Sequence, residues 1–349
     1  PRQVALMNGT IAIRRPRVRG LDARFESQIL PLFQRRTPEI AKLLPELYLH
    51  GLSTGDFTLA LRGLLGDGAP LSASSVQRLT EDWQRDYAQW RTQDLSALER
   101  VYVWADGIYV KAGLESTKAA LLVLIAALAD GTKVVLAVES GHRESSESWA
   151  EILRDLTARG LPAPACVIGD GALGLWNAVG QVWPQAAEQR CWNHKLRNVV
   201  DAVPLKHQPD VLAAMQRMAA AASVADAEQA RQRFHRDYRL RFPKACERLD
   251  RDWARKLTYY QFPKEHWRHL RTTNVVESPF AAVRLRTSAA KRFKKVERAT
   301  AIIWRLLCVA EKRFRKLNAP EQCRDVYRGV RYVDGIEVPA VPPTQKAAA

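Results

Sequence analysis

Val101-Tyr-Val-Trp-Ala-Asp-Gly107, Ala119-Ala-Leu-Leu-Val-Leu-Ile-Ala-Ala-Leu-Ala129, Lys133-Val-Val-Leu-Ala-Val138 and Ala165-Cys-Val-Ile-Gly-Asp-Gly171 decide the fold. Each is a short, strongly apolar run bounded by turn residues, the pattern of strands buried on both faces. An Asp130-Gly131 turn makes the second and third a hairpin. Between the third and fourth, apolar residues from Ser148 to Arg159 return at helical spacing until Gly160-Leu-Pro162 breaks them. Strand, hairpin, helix, strand is the order of a mixed α/β protein. Asp106 stands just past the apolar run of the first strand and Asp170 directly after the fourth. Side chains of neighbouring strands converge at strand ends, so this pair is the first candidate for a site.

Upstream, residues 1–26 are a basic arm with Arg14, Arg15 and Arg17, in which a short strand forms near Ile11. Residues 27–95 show helical spacing in three segments, separated by Gly51 and by Gly66-Asp-Gly-Ala-Pro70. A helix start at Ser53-Thr-Gly-Asp56 and a second helix from Ser72–Ser75 through Val76, Leu79 and Trp83 suggest a helix-turn-helix. Its second helix would bring Ser74, Gln77 and Arg78 to DNA bases or phosphates. A plain helical hairpin packed on the core explains the same pattern equally well. Downstream, a core runs over 96–206 with a fifth strand at Glu188–Cys191. An all-helical insertion occupies 207–265, the core resumes over 266–318 with a helix opening near Glu277 and a basic one over Thr300–Arg315, and a tail fills 319–349.

The 349 residues carry 54 Lys and Arg against 37 Asp and Glu, a formal charge of +17, which points to a polyanionic partner such as nucleic acid. The excess is concentrated, with twelve Lys or Arg against two acids between Arg284 and Lys316. Five scattered cysteines suggest a reducing compartment, here the cytoplasm. The longest apolar run is too short to span a bilayer and no apolar leader opens the chain, so neither membrane nor export is expected. No glycine-rich lysine loop for a nucleotide is evident.

Cleaving a phosphodiester needs an activated oxygen nucleophile, neutralised phosphoryl oxygens and a stabilised leaving oxygen, all of which a pair of divalent cations supplies. Hard cations require hard oxygen ligands. Asp106 and Asp170 are each followed by glycine, which would let a phosphate approach the backbone closely. The third acid must come from elsewhere, and Glu277 in Arg271-Thr-Thr-Asn-Val-Val-Glu277 is the best candidate. Glu139 and Glu147 compete for the role, although a solvated loop explains them more simply. Cys191 and His194 have the spacing of half a zinc site whose other half is missing. They read better as a buried cysteine and a histidine that hydrogen-bonds a phosphate or a catalytic carboxylate. Lys195, Arg197, Asn198, Arg271, Thr272, Thr273 and Asn274 suit the phosphates of a scissile strand. In the basic stretch, Arg284, Arg286, Lys291, Arg292, Lys294 and Lys295 suit the DNA backbone. Trp253, Tyr259, Tyr260, Phe262 and Trp267 read as core, one of which could stack on an unpaired base.

Asp170-Gly-Ala-Leu-Gly-Leu175, Gln189-Arg-Cys-Trp-Asn-His-Lys-Leu-Arg-Asn-Val199 and Arg271-Thr-Thr-Asn-Val-Val-Glu-Ser278 together resemble the Mutator-type bacterial insertion-sequence transposases. The similarity extends from about Arg14 to Asn318. It implies a ribonuclease H-like mixed sheet, a helical insertion between the second Asp and the Glu, and an Asp106-Asp170-Glu277 triad holding two Mg²⁺, for which Mn²⁺ substitutes. It places Cys191 and His194 in the family's Cys-x-x-His signature. It further implies end cleavage and strand transfer on double-stranded DNA bounded by terminal inverted repeats, an excised circular copy, and a dimer or larger assembly in the bacterial nucleoid. A silent, DNA-binding regulator and a purely hydrolytic nuclease are the rival functions.

Overall fold

The computed structural model describes residues 2–6, 9–14, 20, 37–52, 73–113, 118–141 and 144–339. They form two compact units, one built from Pro1–Trp90, Val110–Thr117 and Ala281–Leu306, the other from Arg91–Tyr109, Lys118–Phe280 and Leu307–Ala349.

The second unit holds a five-stranded mixed sheet: β1 (Arg100–Val110), β2 (Ala119–Leu128), β3 (Lys133–Gly141), β4 (Cys166–Gly169) and β5 (Ala187–Arg190), in the order β3-β2-β1-β4-β5. β2 and β3 are the expected antiparallel hairpin, while β1 pairs parallel with β4 and β4 with β5. Helix α1 (Ser146–Ala158) starts where the Ser145 side chain accepts a hydrogen bond from the Ser148 N–H, and α2 (Leu173–Val182) follows β4. Both cover one sheet face. Their Trp149, Leu153, Leu156, Leu175 and Trp176 pack with Val103, Leu122, Leu124 and Val167 of the strands in one buried cluster. Each such side chain contributes about 1.5–3 kcal/mol by leaving water.

Alternation along β1 sends Val103 and Ala105 into that cluster and therefore Tyr102, Trp104 and Asp106 to the opposite face. There Tyr102 Oη lies 2.8 Å from His266 Nδ1, and Trp104 Nε1 donates to the His269 carbonyl. The chain that returns from the helical excursion thus covers the face on which Asp106 stands. Asp106 itself lies within β1, which runs on to Val110, and not past its end as the apolar run suggested.

After α3 (Trp192–Val200), the chain from Leu205 to Leu257 forms only helices joined by short turns, with α4 (Gln208–Ala219), α5 (Val224–Tyr238), α6 (Pro243–Asp250) and α7 (Trp253–Leu257). The aromatic residues behind it are core. Tyr259 and Tyr260 stack at 4.2 Å and Trp267 meets both rings edge-on. All three are buried, as are Trp253 and Phe262, so none is offered to a base. Within the expected tail, a helix at Pro320–Tyr327 and a hairpin of Tyr332–Val333 with Ile336–Glu337 are ordered. The hairpin turn is anchored by Gly335 N–H donating to Tyr260 O and by Asp334 accepting from Val224 N–H.

In the first unit, the expected single strand near Ile11 is one half of an antiparallel hairpin, Arg2–Leu6 with Gly9–Ile13. Pairing with a second strand lets Val4 and Ala5 be buried. Arg14 follows it exposed, while Arg15 and Arg17 lie outside the described residues. Helices span Pro38–Leu49 and Ala73–Trp90. The second carries Ser74 in its first turn and exposes Gln77 and Arg78, with Trp83 buried. The helix start at Ser53-Thr-Gly-Asp56 and the turn at Gly66–Pro70 lie outside the described residues. Helices at Phe280–Ala290 and Val296–Glu311 carry much of the basic stretch. Arg284, Lys291, Arg292, Lys294 and Lys295 are exposed. Arg286 is not. Its guanidinium is buried 3.8 Å from the Tyr48 ring centre and donates to the Leu52 carbonyl, so it packs this unit together and presents no charge outward.

Candidate active site

Strand register assembles the centre of the site. Trp104 pairs with Ile168 on β1 and β4, so two residues further on Asp106 lies beside Asp170. Gly169 pairs with Arg190 on β4 and β5, so Asp170 lies beside Cys191. The matched registers of these parallel strands therefore deliver all three side by side across the sheet. Asp106 Oδ1 accepts the Gly107 N–H at 2.8 Å, and Asp170 Oδ1 accepts the Ala172 N–H at 2.9 Å across Gly171, whose φ of +94° suits glycine.

Glu277 closes a short helix, Asn274–Glu277, that docks on the start of α3. Trp192 N–H donates to Arg271 O, and Thr273 N–H to Cys191 Sγ at 3.4 Å. The buried Thr273 hydroxyl donates to Glu277 and lies 3.2 Å from Cys191 Sγ and 3.4 Å from His194 Nδ1. His194 Nδ1 stands 3.8 Å from Glu277 Oε1. Of the two roles foreseen for His194, the geometry favours the partner of a carboxylate.

Burial, followed by the charges of Asp170 and Glu277, pushes Asp106 up to about 7 despite the Gly107 N–H. The three acids thus share one electrostatic field, although more than a hundred residues separate Asp170 from Glu277. The hydrogen bond with Cys191, against the cost of burial and helped by the charges of Cys191, Glu277 and Asp106, raises His194 to about 9. Burial opposes ionisation of the Cys191 thiol, but hydrogen bonds from His194 and Thr273 bring it below its ordinary value. His194 is therefore held as a cation next to Glu277 at neutral pH.

The glycines after the aspartates make room for the protein's own side chains. A methyl group on Gly107 would overlap the Glu144 carboxylate, and one on Gly171 would coincide with the Arg190 guanidinium. Protein side chains fill both notches. Arg190 is buried and lies 3.6 Å from Asp252, which also stands 3.6 Å from Lys195 Nζ. Lys195 points inward, donating to the Arg248 and Arg251 carbonyls, and burial draws its ammonium down to about 8. It ties α3 to the helical excursion and is no surface phosphate ligand. Thr273 is likewise enclosed. Arg271 is half-buried, spans to Ala219 O at 2.7 Å and lies over Tyr259, while Thr272 is half-buried beside it. Arg197, Asn198 and Asn274 are exposed, and Asn193 donates to Asn274. A cleft of about 270 Å³ opens there, lined by Asn193, Gln216, Arg268, Arg271, Thr272 and Asn274.

Glu144, Arg190, Asp252 and Arg268 escaped the sequence reading. Glu144 lay in the acid-rich stretch from which Glu139 and Glu147 were weighed. Those two instead pair with Arg91 at 3.0 Å and Arg154 at 3.2 Å. For a cation, the donor set of Asp106, Asp170 and Glu277 is three carboxylates, two of them side by side in strand register, and their mutual repulsion leaves a positive charge wanted. That fits Mg²⁺ or Mn²⁺. Ligand atoms of Cys191, His194 and Glu277 also lie within 4.8 Å of one another. Thr273 already hydrogen-bonds to all three of these residues, so they read as a network that supports Glu277.

Fold and site define a mixed α/β protein whose parallel strands set two aspartates side by side, with a glutamate from beyond an all-helical excursion near enough for its charge to act on the first of them. The description "Transposase, Mutator family" matches residues 1–316, and the chain belongs to that family. It is 44% identical over 309 residues to the transposase for insertion sequence element IS6120 of Mycolicibacterium smegmatis, covering 87% of this chain and 96% of that one. The transposase for IST2 of Acidithiobacillus ferrooxidans is 40% identical over 293 residues, covering 83% and 99%. The transposase for IS256 in transposon Tn4001 of Staphylococcus aureus is 27% identical over 303 residues, covering 86% and 76%.

Proposed function

We propose that the protein is a DNA transposase that cleaves the ends of an insertion sequence and transfers the 3′-hydroxyl strands to target DNA, with Asp106, Asp170 and Glu277 binding two Mg²⁺. The strand register that sets Asp106 beside Asp170, with Asp106 raised to about 7 by burial and by the charges of Asp170 and Glu277, carries the reading. The strand order supports a ribonuclease H-like core. Bound there, the two ions would activate a water or hydroxyl oxygen and neutralise the scissile phosphate and leaving oxygen.

The chain's own groups do the rest. Asp106 would give up its proton to serve as a ligand. The Gly107 and Ala172 N–H groups fix the two aspartates by one oxygen each, which leaves the other oxygens for ligation. Thr273 and cationic His194 both hold Glu277 by its Oε1. Arg197, Asn274 and Arg268 are placed to hold strand phosphates beside the site. The exposed Arg284, Lys291, Arg292, Lys294 and Lys295 suit duplex backbone, and Gln77 and Arg78 suit a groove. Joining two ends calls for a dimer or larger assembly on DNA with terminal inverted repeats, in the nucleoid. Among the described residues no helix is long and apolar enough to cross a membrane.

The test is incubation with Mg²⁺ and the DNA flanking its own gene, followed by sequencing of the products. Joined strands at the element's termini are expected. Nicked or shortened strands alone would instead make it a hydrolytic nuclease.

A further inference from the structure

We propose that Glu144 is a fourth carboxylate of this site, adding negative charge to the cation position beside Asp106 and Asp170. The inference rests on the cation-binding reading above.

Two glycines are shaped around this one residue. The Glu144 carboxylate fills the notch of Gly107, directly after Asp106, and its carbonyl oxygen fills the notch of Gly174, four residues after Asp170. Glu144 is thereby wedged between β1, just past Asp106, and the first turn of α2, just past Asp170. Ser145 then caps α1 and fixes where the wedge ends. The carboxylate is half-buried and accepts a hydrogen bond from the Tyr109 hydroxyl, two residues beyond the Gly107 notch. Burial first, and then the charge of Asp170, disfavours its ionised form, which places it within the field of the acidic centre. A neutral side chain of the same shape would fill the Gly107 notch without bringing a further carboxylate next to Asp106, and a divalent cation would give that charge a counterpart.

Glu144→Gln keeps size, packing and the acceptor for Tyr109 while removing the charge, so it separates ligation from structure. Mn²⁺ is titrated into the full chain by calorimetry or by the loss of free-ion EPR signal, with Asp170→Asn in parallel, and unfolding temperatures are read without metal. The Mn²⁺ dissociation constant should rise about tenfold in Glu144→Gln, with an unfolding temperature equal to or above that of the parent, and binding should be lost in Asp170→Asn. Unchanged affinity in Glu144→Gln alongside loss in Asp170→Asn overturns the proposal and leaves the three-acid site standing. Retained affinity in Asp170→Asn overturns the cation-binding reading itself. Should Glu144→Gln unfold early, Tyr109→Phe decides. Its ring is half exposed, and losing one hydrogen bond to the carboxylate should weaken Mn²⁺ binding about threefold, whereas no change there counts against Glu144.

Discussion

Asp106 is the acid of the candidate site on which burial and neighbouring charge act most strongly. Its carboxyl, held at about 7 against an ordinary 3.8, keeps a proton that the unfolded chain has released, so stability without metal falls as pH rises between those values. Asp106→Asn should therefore leave the unfolding temperature near that of the parent at pH 4 and raise it by about 5 °C or more at pH 8. A thermal scan across that range checks it, and equal temperatures at pH 8 would refute it. Because cations must displace that proton, Mn²⁺ affinity should rise about tenfold per pH unit below 7 and level off above. His194 has the opposite sign. Its raised value of about 9 contributes stability below its ordinary 6.5 that is lost as pH passes 9. His194→Ala should cost stability at pH 6 and little at pH 10. That Asp106 and Asp170 meet was legible in sequence because each terminates or interrupts an apolar strand. Glu144 was not, since nothing local separates it from Glu139 and Glu147. Only the folded chain shows that Arg91 and Arg154 take those two while Gly107 receives the third.

Among the elements, the interior strands were legible because burial on both faces leaves continuous apolar runs, and their register then fixes the aspartates without further information. The N-terminal hairpin and the short hairpin at Tyr332–Glu337 were not. Their strands are brief and half polar, and the second is held by contacts to Tyr260 and Val224 that no local pattern announces. The Asp170 turn is set by Arg190, which occupies the notch of Gly171. Gly171→Ala should displace that guanidinium and strain a φ of +94°, costing about 1–3 kcal/mol. Chemical denaturation would show the loss, and an unchanged midpoint would mean that the turn is not so constrained. At the other end of the preceding crossover, Ser145→Ala should cost about 1 kcal/mol by removing the cap of α1.

At the scale of the whole molecule, the charge of +17 is divided between cations that build the protein and cations left free for a partner. Arg286, Lys195 and Arg190 belong to the first kind, and sequence could not tell them from the second, because a buried arginine over a tyrosine reads the same as an exposed one. Lys294 and Lys295 belong to the second. Replacing both with alanine should weaken binding to any duplex and lower the slope of log affinity against log salt by about 2. An unchanged slope would place that surface away from DNA. The central claim is that Asp106, Asp170 and Glu277 together grip divalent cations against a DNA phosphate. Anomalous diffraction from crystals of the protein with a cleaved DNA end and Mn²⁺ measures this directly. The account predicts two peaks about 4 Å apart, bracketed by the three carboxylates. A single peak at Cys191 and His194, or none near Asp106, would contradict it.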